Sequence, residues 1–198
     1  VIRDGIYVGN TGVVTFSDAY NALPLGISPY DPSVPGYPLM SVYATGADVK
    51  AICEVGLTLS RMLGSDYYLN FSGLKIDFDE TTGRVSQVYV HAPSDTFCLG
   101  AVTPIDPSAE YRIVVDYYAF QMLSVVNSYI AMFNQMYDPD IPFINPQNPT
   151  RIDRDPGTPS VVEELKEWTA LVMFLPELGG SIPAQIYGPS GACMGRVY

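Results

Sequence analysis

Hydrophobic and polar positions change rhythm several times along the chain, and Pro and Gly mark the breaks. Val13 to Phe16 is a short apolar, strand-like run. Ser17 then offers an N-cap hydroxyl for a short helix that must end before Pro24. Residues 26–38, GISPYDPSVPGYP, hold four prolines and read as a surface loop. Leu39 to Ala44 alternates as a strand does. Thr45 opens T-x-x-D with Asp48, a capping-box variant in which hydroxyl and carboxylate satisfy free backbone N–H groups. Val49, Ile52, Gly56 and Leu59 follow at helical spacing, which predicts an amphipathic helix over 46–63 with its apolar stripe towards a sheet.

Tyr68 to Phe78 predicts the clearest strand. Leu74, Ile76 and Phe78 point one way, and Lys75, Asp77 and Asp79 the other. The turn Glu80-Thr81-Thr82-Gly83 and a second strand, Val85 to Val90, complete a hairpin in which Gly supplies a positive φ. Tyr111 to Tyr118, dense in β-branched and aromatic residues, predicts a further strand. Phe120 to Met136 is apolar at helical spacing, through Met122, Val125, Val126, Tyr129, Ile130 and Phe133. Residues 138–160 carry six prolines and read as a long loop. Ser160 then caps a helix over 161–174, with Glu163 and Glu164 in the first turn where the dipole favours anions. The glycine-rich tail from Gly179 gives no assignment. Helices and strands interleave with hairpins, so the fold class is α+β. No internal repeat stands out.

A chain of 198 residues suits one domain, or at most one domain with a long appendage. With 47% hydrophobic and 16% charged residues it buries a real core, which excludes intrinsic disorder for most of its length. Ten Lys and Arg against 21 Asp and Glu leave a net charge of −11. No two basic residues are adjacent, so a nucleic-acid binder is excluded, as is strong attraction to an anionic membrane. No apolar run reaches the ~18–20 residues of a membrane span. The opening Val-Ile-Arg-Asp-Gly has neither an initiating Met nor a signal-peptide pattern, so a processed protein or an excised piece of a longer one is expected.

Catalytic chemistry finds few candidates. The lone histidine, His91, falls on a strand and reads as a structural or surface residue. Gly188-Pro189-Ser190-Gly191 lacks the spacing of a nucleophile elbow. Asp153 and Asp155 flank Arg154, and Asp138 and Asp140 flank Pro139. Neither pair has the ligand ladder of a calcium loop, and they read as solvated acidic loops with Arg151 and Arg154 as internal counter-ions. Cys53, Cys98 and Cys193 are odd in number and lack CxxC spacing, so they read as buried small side chains or at most one disulfide. One histidine cannot furnish a dimetal phosphoesterase site, and no phosphate-cradling glycine motif occurs. Aromatic content remains: 15 tyrosines, with pairs at Tyr67-Tyr68 and Tyr117-Tyr118. On a strand each pair gives one buried and one exposed ring, and a tyrosine ring suits stacking on a base or sugar.

Several segments together resemble the C-terminal domain of the bacterial and animal 5'-nucleotidase family, which includes UDP-sugar hydrolases. Ile2-Arg3 and then Val14 to Gly26, VTFSDAYNALPLG, are similar to the family's Gly-Ile-Arg and its stretch ending Leu-Pro-Phe-Gly. Leu39 to Gly56, LMSVYATGADVKAICEVG, resembles a strand ending in Thr-Gly and followed by a helix. Tyr68 to Phe78, YLNFSGLKIDF, followed by Gly83-Arg84-Val85, resembles the Ser-Gly-Leu pattern. Tyr111 to Gln121, YRIVVDYYAFQ, resembles the Tyr-Arg strand that leads to the base-binding aromatic. The resemblance covers about 1–122 and, weakly, the helix near 161–174.

That resemblance implies a layered α/β/β/α domain with mixed sheets and hairpins, spanning 1–198 as a single unit. It also implies a parent enzyme in which this domain binds a nucleotide or related phosphate ester. An N-terminal metallophosphoesterase domain outside this chain then carries two divalent metals, which activate a water and stabilise phosphoryl oxygens. The chain alone, with no cofactor of its own, is expected to be inactive. A periplasmic, extracellular or cell-surface location is implied. Residue by residue, Arg3 matches the arginine contacting substrate phosphate or ribose, a task suited to its bidentate fork. Leu25, beside Gly26, stands where the first stacking Phe belongs, and Tyr118 where the second does. Gln121 falls near a ligand-loop Asn. Met122-Leu123-Ser124-Val125 replaces the family's Gly-Gly-Asp-Gly, and Leu25 cannot stack as a ring does. The alternative is therefore a non-catalytic binding or interaction module whose nucleotide pocket has degenerated.

Overall fold

The computed structural model describes residues 12–23, 26–64, 69–79, 81–95, 99–136, 141–158 and 161–181. The chain forms two compact units: one drawn from Val1–Val42, Arg112–Met122 and Asn148–Ser181, the other from Tyr43–Tyr111, Leu123–Gln147 and Ile182–Tyr198. The α+β class holds, with helices, hairpin strands and, among the described residues, two three-stranded sheets. Among the described residues no helix is long and apolar enough to cross a membrane.

In the first unit, helix α1 (Phe16–Ala22) is capped by Thr15 rather than by Ser17. The Thr15 hydroxyl accepts from the Asp18 N–H, and the Asp18 carboxylate accepts from the Thr15 N–H at 2.7 Å. A reciprocal cap outweighs the strand preference of Val13 to Phe16, so Phe16 belongs to the helix. Strand β1 (Leu39–Thr45) lies between β5 (Glu110–Asp116) and β6 (Gln147–Arg151). Strand β6 falls inside the expected proline loop. Among the described residues it is an edge strand, a position where a proline is tolerated.

The expected helix over 161–174 is only half present. Residues through Lys166 are extended, and α4 runs Glu167–Phe174. Leu39 N–H donates to the Leu165 carbonyl at 2.8 Å and Leu165 N–H to the Ile152 carbonyl at 2.9 Å. These long-range bonds hold Glu163 and Glu164 in an extended conformation, and Ser160 lies outside the described residues. Arg154 and Arg151 pair with Glu163 and Glu164, not with the neighbouring aspartates. Helix α4 packs against α1, with Tyr20 and Trp168 edge to face at 5.7 Å.

In the second unit, Thr45 and Asp48 form the expected capping box at the start of α2 (Gly46–Leu63). Val49, Ala51, Cys53, Val55 and Leu57 are all buried, so the helix sinks in on more than one side. Its Glu54 is 4% exposed and pairs with Arg84 Nε at 2.5 Å while accepting the Val85 N–H at 2.8 Å. That carboxylate ties α2 to β3 (Arg84–His91), which forms the predicted antiparallel hairpin with β2 (Leu74–Asp79). The strand begins at Leu74 rather than Tyr68, which lies outside the described residues, and a register shift at Asp77/Phe78 breaks the strict alternation. Strand β4 (Val102–Pro104), unforeseen in the sequence, pairs with the far edge of β3.

Helix α3 (Tyr117–Met136) starts three residues earlier than its apolar period suggests. Its Asn127 and Asn134 each take both backbone bonds of one residue in an extended segment. Asn127 serves the N–H and carbonyl of Ile144 at 2.9 Å each, and Asn134 serves those of Ile141 at 3.2 and 2.9 Å. Ile130, Phe133 and Ile144 are 0–2% exposed there, each adding about 1.5–3 kcal/mol of apolar burial.

Candidate functional site

The first unit gathers aromatic rings around Tyr117. The β5 strand ends at Asp116, whose carboxylate accepts the Ala119 N–H at 2.8 Å, so Tyr117 and Tyr118 open a helix instead of closing a strand. The expectation of one buried and one exposed face fails for that reason. Both rings point as helix residues do, with Tyr117 half-buried and Tyr118 at 42% exposure. Tyr117 lies 5.7 Å from Tyr30, edge to face at 84°, 5.7 Å from Tyr37 and 6.4 Å from Phe120. Gln121 donates from Nε2 to the Tyr117 hydroxyl at 3.1 Å. Burial pushes the Tyr117 phenol above its ordinary value, with Tyr30 adding to the rise, so the ring stays neutral.

Gly26 supports this cluster from below. Its φ of 69° is left-handed, and a Cβ there would stand 2.2 Å from the Tyr37 ring. Only glycine permits both that backbone and that contact. The Gly26 carbonyl accepts from Gly36 N–H at 3.0 Å, closing the 26–38 loop on itself. This loop is less superficial than its prolines suggest. Ser28 is 1% exposed and donates to Glu164 at 2.9 Å, while its oxygen accepts the N–H groups of Tyr30 and Asp31.

Glu164 anchors the loop. Its carboxylate, with no exposed side-chain surface, also receives Lys166 Nζ at 2.5 Å and Arg151 Nη1 at 3.0 Å. Burial alone would raise its pKa, but the Lys166, Ser28 and Arg151 bonds outweigh that and hold it below the usual glutamate value. Arg151 reaches further, placing its guanidinium 4.6 Å from the Tyr30 ring centroid. A cation over that face fixes the ring while leaving Tyr30 53% exposed.

Of the residues anticipated for binding, Gly26, Tyr118 and Gln121 therefore lie in or beside the ring cluster, whereas Arg3 and Leu25 lie outside the described residues. Sequence alone does not single out Tyr30, Tyr37 and Arg151. Two tyrosines inside one proline-rich loop are the only hint. The cluster offers flat faces, hydroxyl tips and one guanidinium, a chemistry of binding rather than of bond breaking.

Elsewhere the donor set does not suit a metal. Among the described residues no three of His, Cys, Asp and Glu converge. His91 Nδ1 is held by Asp95 at 2.8 Å. Asp153 Oδ1 accepts the N–H groups of Asp155 and Glu163, and Asp155 Oδ1 accepts that of Gly157. A dimetal centre does not fit these residues. Cys53 is buried and free, while Cys98, Cys193, Asp138 and Asp140 lie outside the described residues.

A family model described as "5'-nucleotidase, C-terminal domain" matches residues 2–134. No curated protein matches the chain. Among solved structures, the chain is similar to a 5'-nucleotidase precursor from Thermus thermophilus, at 21% identity and a TM-score of 0.49 over 83% of this chain and 25% of that one. It is also similar to an NAD nucleotidase from Haemophilus influenzae, at 17% identity and a TM-score of 0.48 over 83% of this chain and 24% of that one. The chain thus spans about a quarter of the length of either protein. With two thirds of its residues inside the family model, the chain belongs to the 5'-nucleotidase C-terminal domain family.

Proposed function

We propose that this chain is the substrate-binding domain of a nucleotidase-type phosphohydrolase. It orients a nucleotide or related phosphate ester, and hydrolysis takes place at two divalent metals in a separate N-terminal domain. The observation that carries this reading is the family match over 2–134, joined by a ring cluster around Tyr117, which is next in sequence to Tyr118 and bonded to Gln121, two positions where the resemblance puts ligand contacts. Tyr30 and Tyr118 offer exposed ring surface to a base, and Gln121 a carboxamide to its edge. Arg3 would hold the phosphate or ribose, and Leu25 would pack on the second base face. The domain's contribution is orientation, which removes entropy from the barrier without any reacting group of its own. On this reading the chain alone does not hydrolyse AMP, and the parent enzyme works in the periplasm, outside the cell or on its surface.

One observation favours a second reading. Helix α3 runs unbroken through Met122 to Val125, with Leu123 buried, where the family resemblance calls for a polar Gly-Gly-Asp-Gly loop. A non-catalytic interaction module would need no such loop. Titration with adenosine, uridine and a UDP-sugar, followed by Tyr and Trp168 fluorescence, separates the two. Saturable binding that weakens roughly 5–150-fold in Tyr118→Ala, the ~1–3 kcal/mol of one base stack, supports substrate binding. A flat response to all three ligands supports the interaction module.

A further inference from the structure

We propose that a cavity in the second unit binds a small organic carboxylate with an apolar body, seated between α2 and the β4 end of the hairpin sheet with its charge on Lys50. The cavity holds about 400 Å³, within the range of small-molecule sites. It shares no residue with the ring cluster, so the two sites stand or fall separately.

Its walls divide by chemistry. Ala47 and Ala51 give the helix side short side chains that leave room, and Pro104, Ile105 and Ile141 line the opposite side. Three charged groups reach it: Glu54, Arg84 and Lys50. Glu54 is committed to Arg84 and to the Val85 N–H, so that pair is internally neutral. Lys50, exposed to solvent, donates to the Ser86 carbonyl at 3.2 Å, a neutral acceptor, and among the described residues no carboxylate pairs with it. Among the cavity's lining residues, two cations against one anion leave one surplus positive charge, in a chain of net charge −11.

The start of α2 is not the anion site. Its Gly46 and Ala47 N–H groups already donate to the Ala109 and Pro107 carbonyls at 3.0 Å each. The ammonium is left as the recognising group. One cation against mainly apolar walls matches a monoanion with a hydrophobic body better than a phosphate, whose double charge and three oxygens ask for several donors.

Phenylacetate is the probe, added to the ¹⁵N-labelled 198-residue chain with phenylacetamide and benzylamine as controls. Saturable shifts of the Ala47, Ala51 and Ile105 amide signals are expected, with both controls about tenfold weaker or worse. Lys50→Gln should weaken phenylacetate about tenfold without moving Tm, Lys50→Arg should stay within about threefold, and Ala47→Leu should fill the space and abolish binding. The proposal is overturned by equal shifts with the amide, by unchanged affinity in Lys50→Gln, or by no localised shift up to about 20 mM phenylacetate.

Discussion

Replacing Glu164 with Gln tests how the ring-bearing loop is held. The carboxylate has no exposed side-chain surface, and its strongest partner, Lys166, is 2% exposed. Gln keeps the shape but leaves the ammonium buried without its counter-ion. Breaking such a pair from one side costs about 3–5 kcal/mol, because the remaining charge is neither hydrated nor neutralised. For a chain of this size each kcal/mol lowers Tm by about 2–4 °C, so a fall of roughly 6–20 °C is expected in thermal unfolding. Arg151, with 30% of its side chain exposed, can turn to water and adds little to that loss. Replacing both partners with Met should restore at least half of it, since a buried pair and a packed apolar pair are often of similar stability. The pH dependence has a definite sign. Glu164 titrates lower when folded than when unfolded, so its stabilisation is present above the unfolded pKa and disappears as pH falls through the folded one. That acid-side loss should be missing from Glu164→Gln. A Tm within about 2 °C of the parent at neutral pH would refute a single buried anion holding the loop.

Three more changes probe other elements. Asn127→Ala strips both partners from the backbone of Ile144, which is 2% exposed, and should cost about 2 kcal/mol or more in urea unfolding; an unchanged midpoint would contradict the bonding described. Gly26→Ala should lose about 1–2 kcal/mol from its left-handed backbone and displace the Tyr37 ring, seen as altered tyrosine fluorescence. Burial pushes the Cys53 thiol up to about 12, so at pH 8 iodoacetamide should spare it in the native chain and label it in urea, as read by peptide mapping. Native labelling as fast as in urea would place that thiol at the surface.

Where the determinants are local, the sequence could be read closely. Thr45 and Asp48 lie three residues apart, and the helix that they cap runs over the expected 46–63. The hairpin around Gly83 is equally short-range. Residues 161–166 went the other way because they pair with Ile152 and Asp153 and with the Pro38–Leu39 segment, and that last segment is too far along the chain for any window to reveal. Strand β6 was hidden by Pro149, a residue that sheets accept on an edge strand, which β6 is among the described residues. Of the candidate site, Gly26, Tyr118 and Gln121 were proposed through family resemblance. Tyr30 and Arg151 were not, since a ring and a guanidinium 121 residues apart meet only once Glu164 has drawn their segments together.

The two asparagines of α3 make that helix a ruler. Seven residues of helix advance about 10 Å. From Ile141 to Ile144 an extended chain advances about the same distance. Asn134 grips the first and Asn127 the second, so the strand-like segment runs against the helix direction with matched spacing. Adding or removing one residue between either pair would put the two grips out of step. Between the two grips, the number of residues is then constrained as well as the two asparagines themselves.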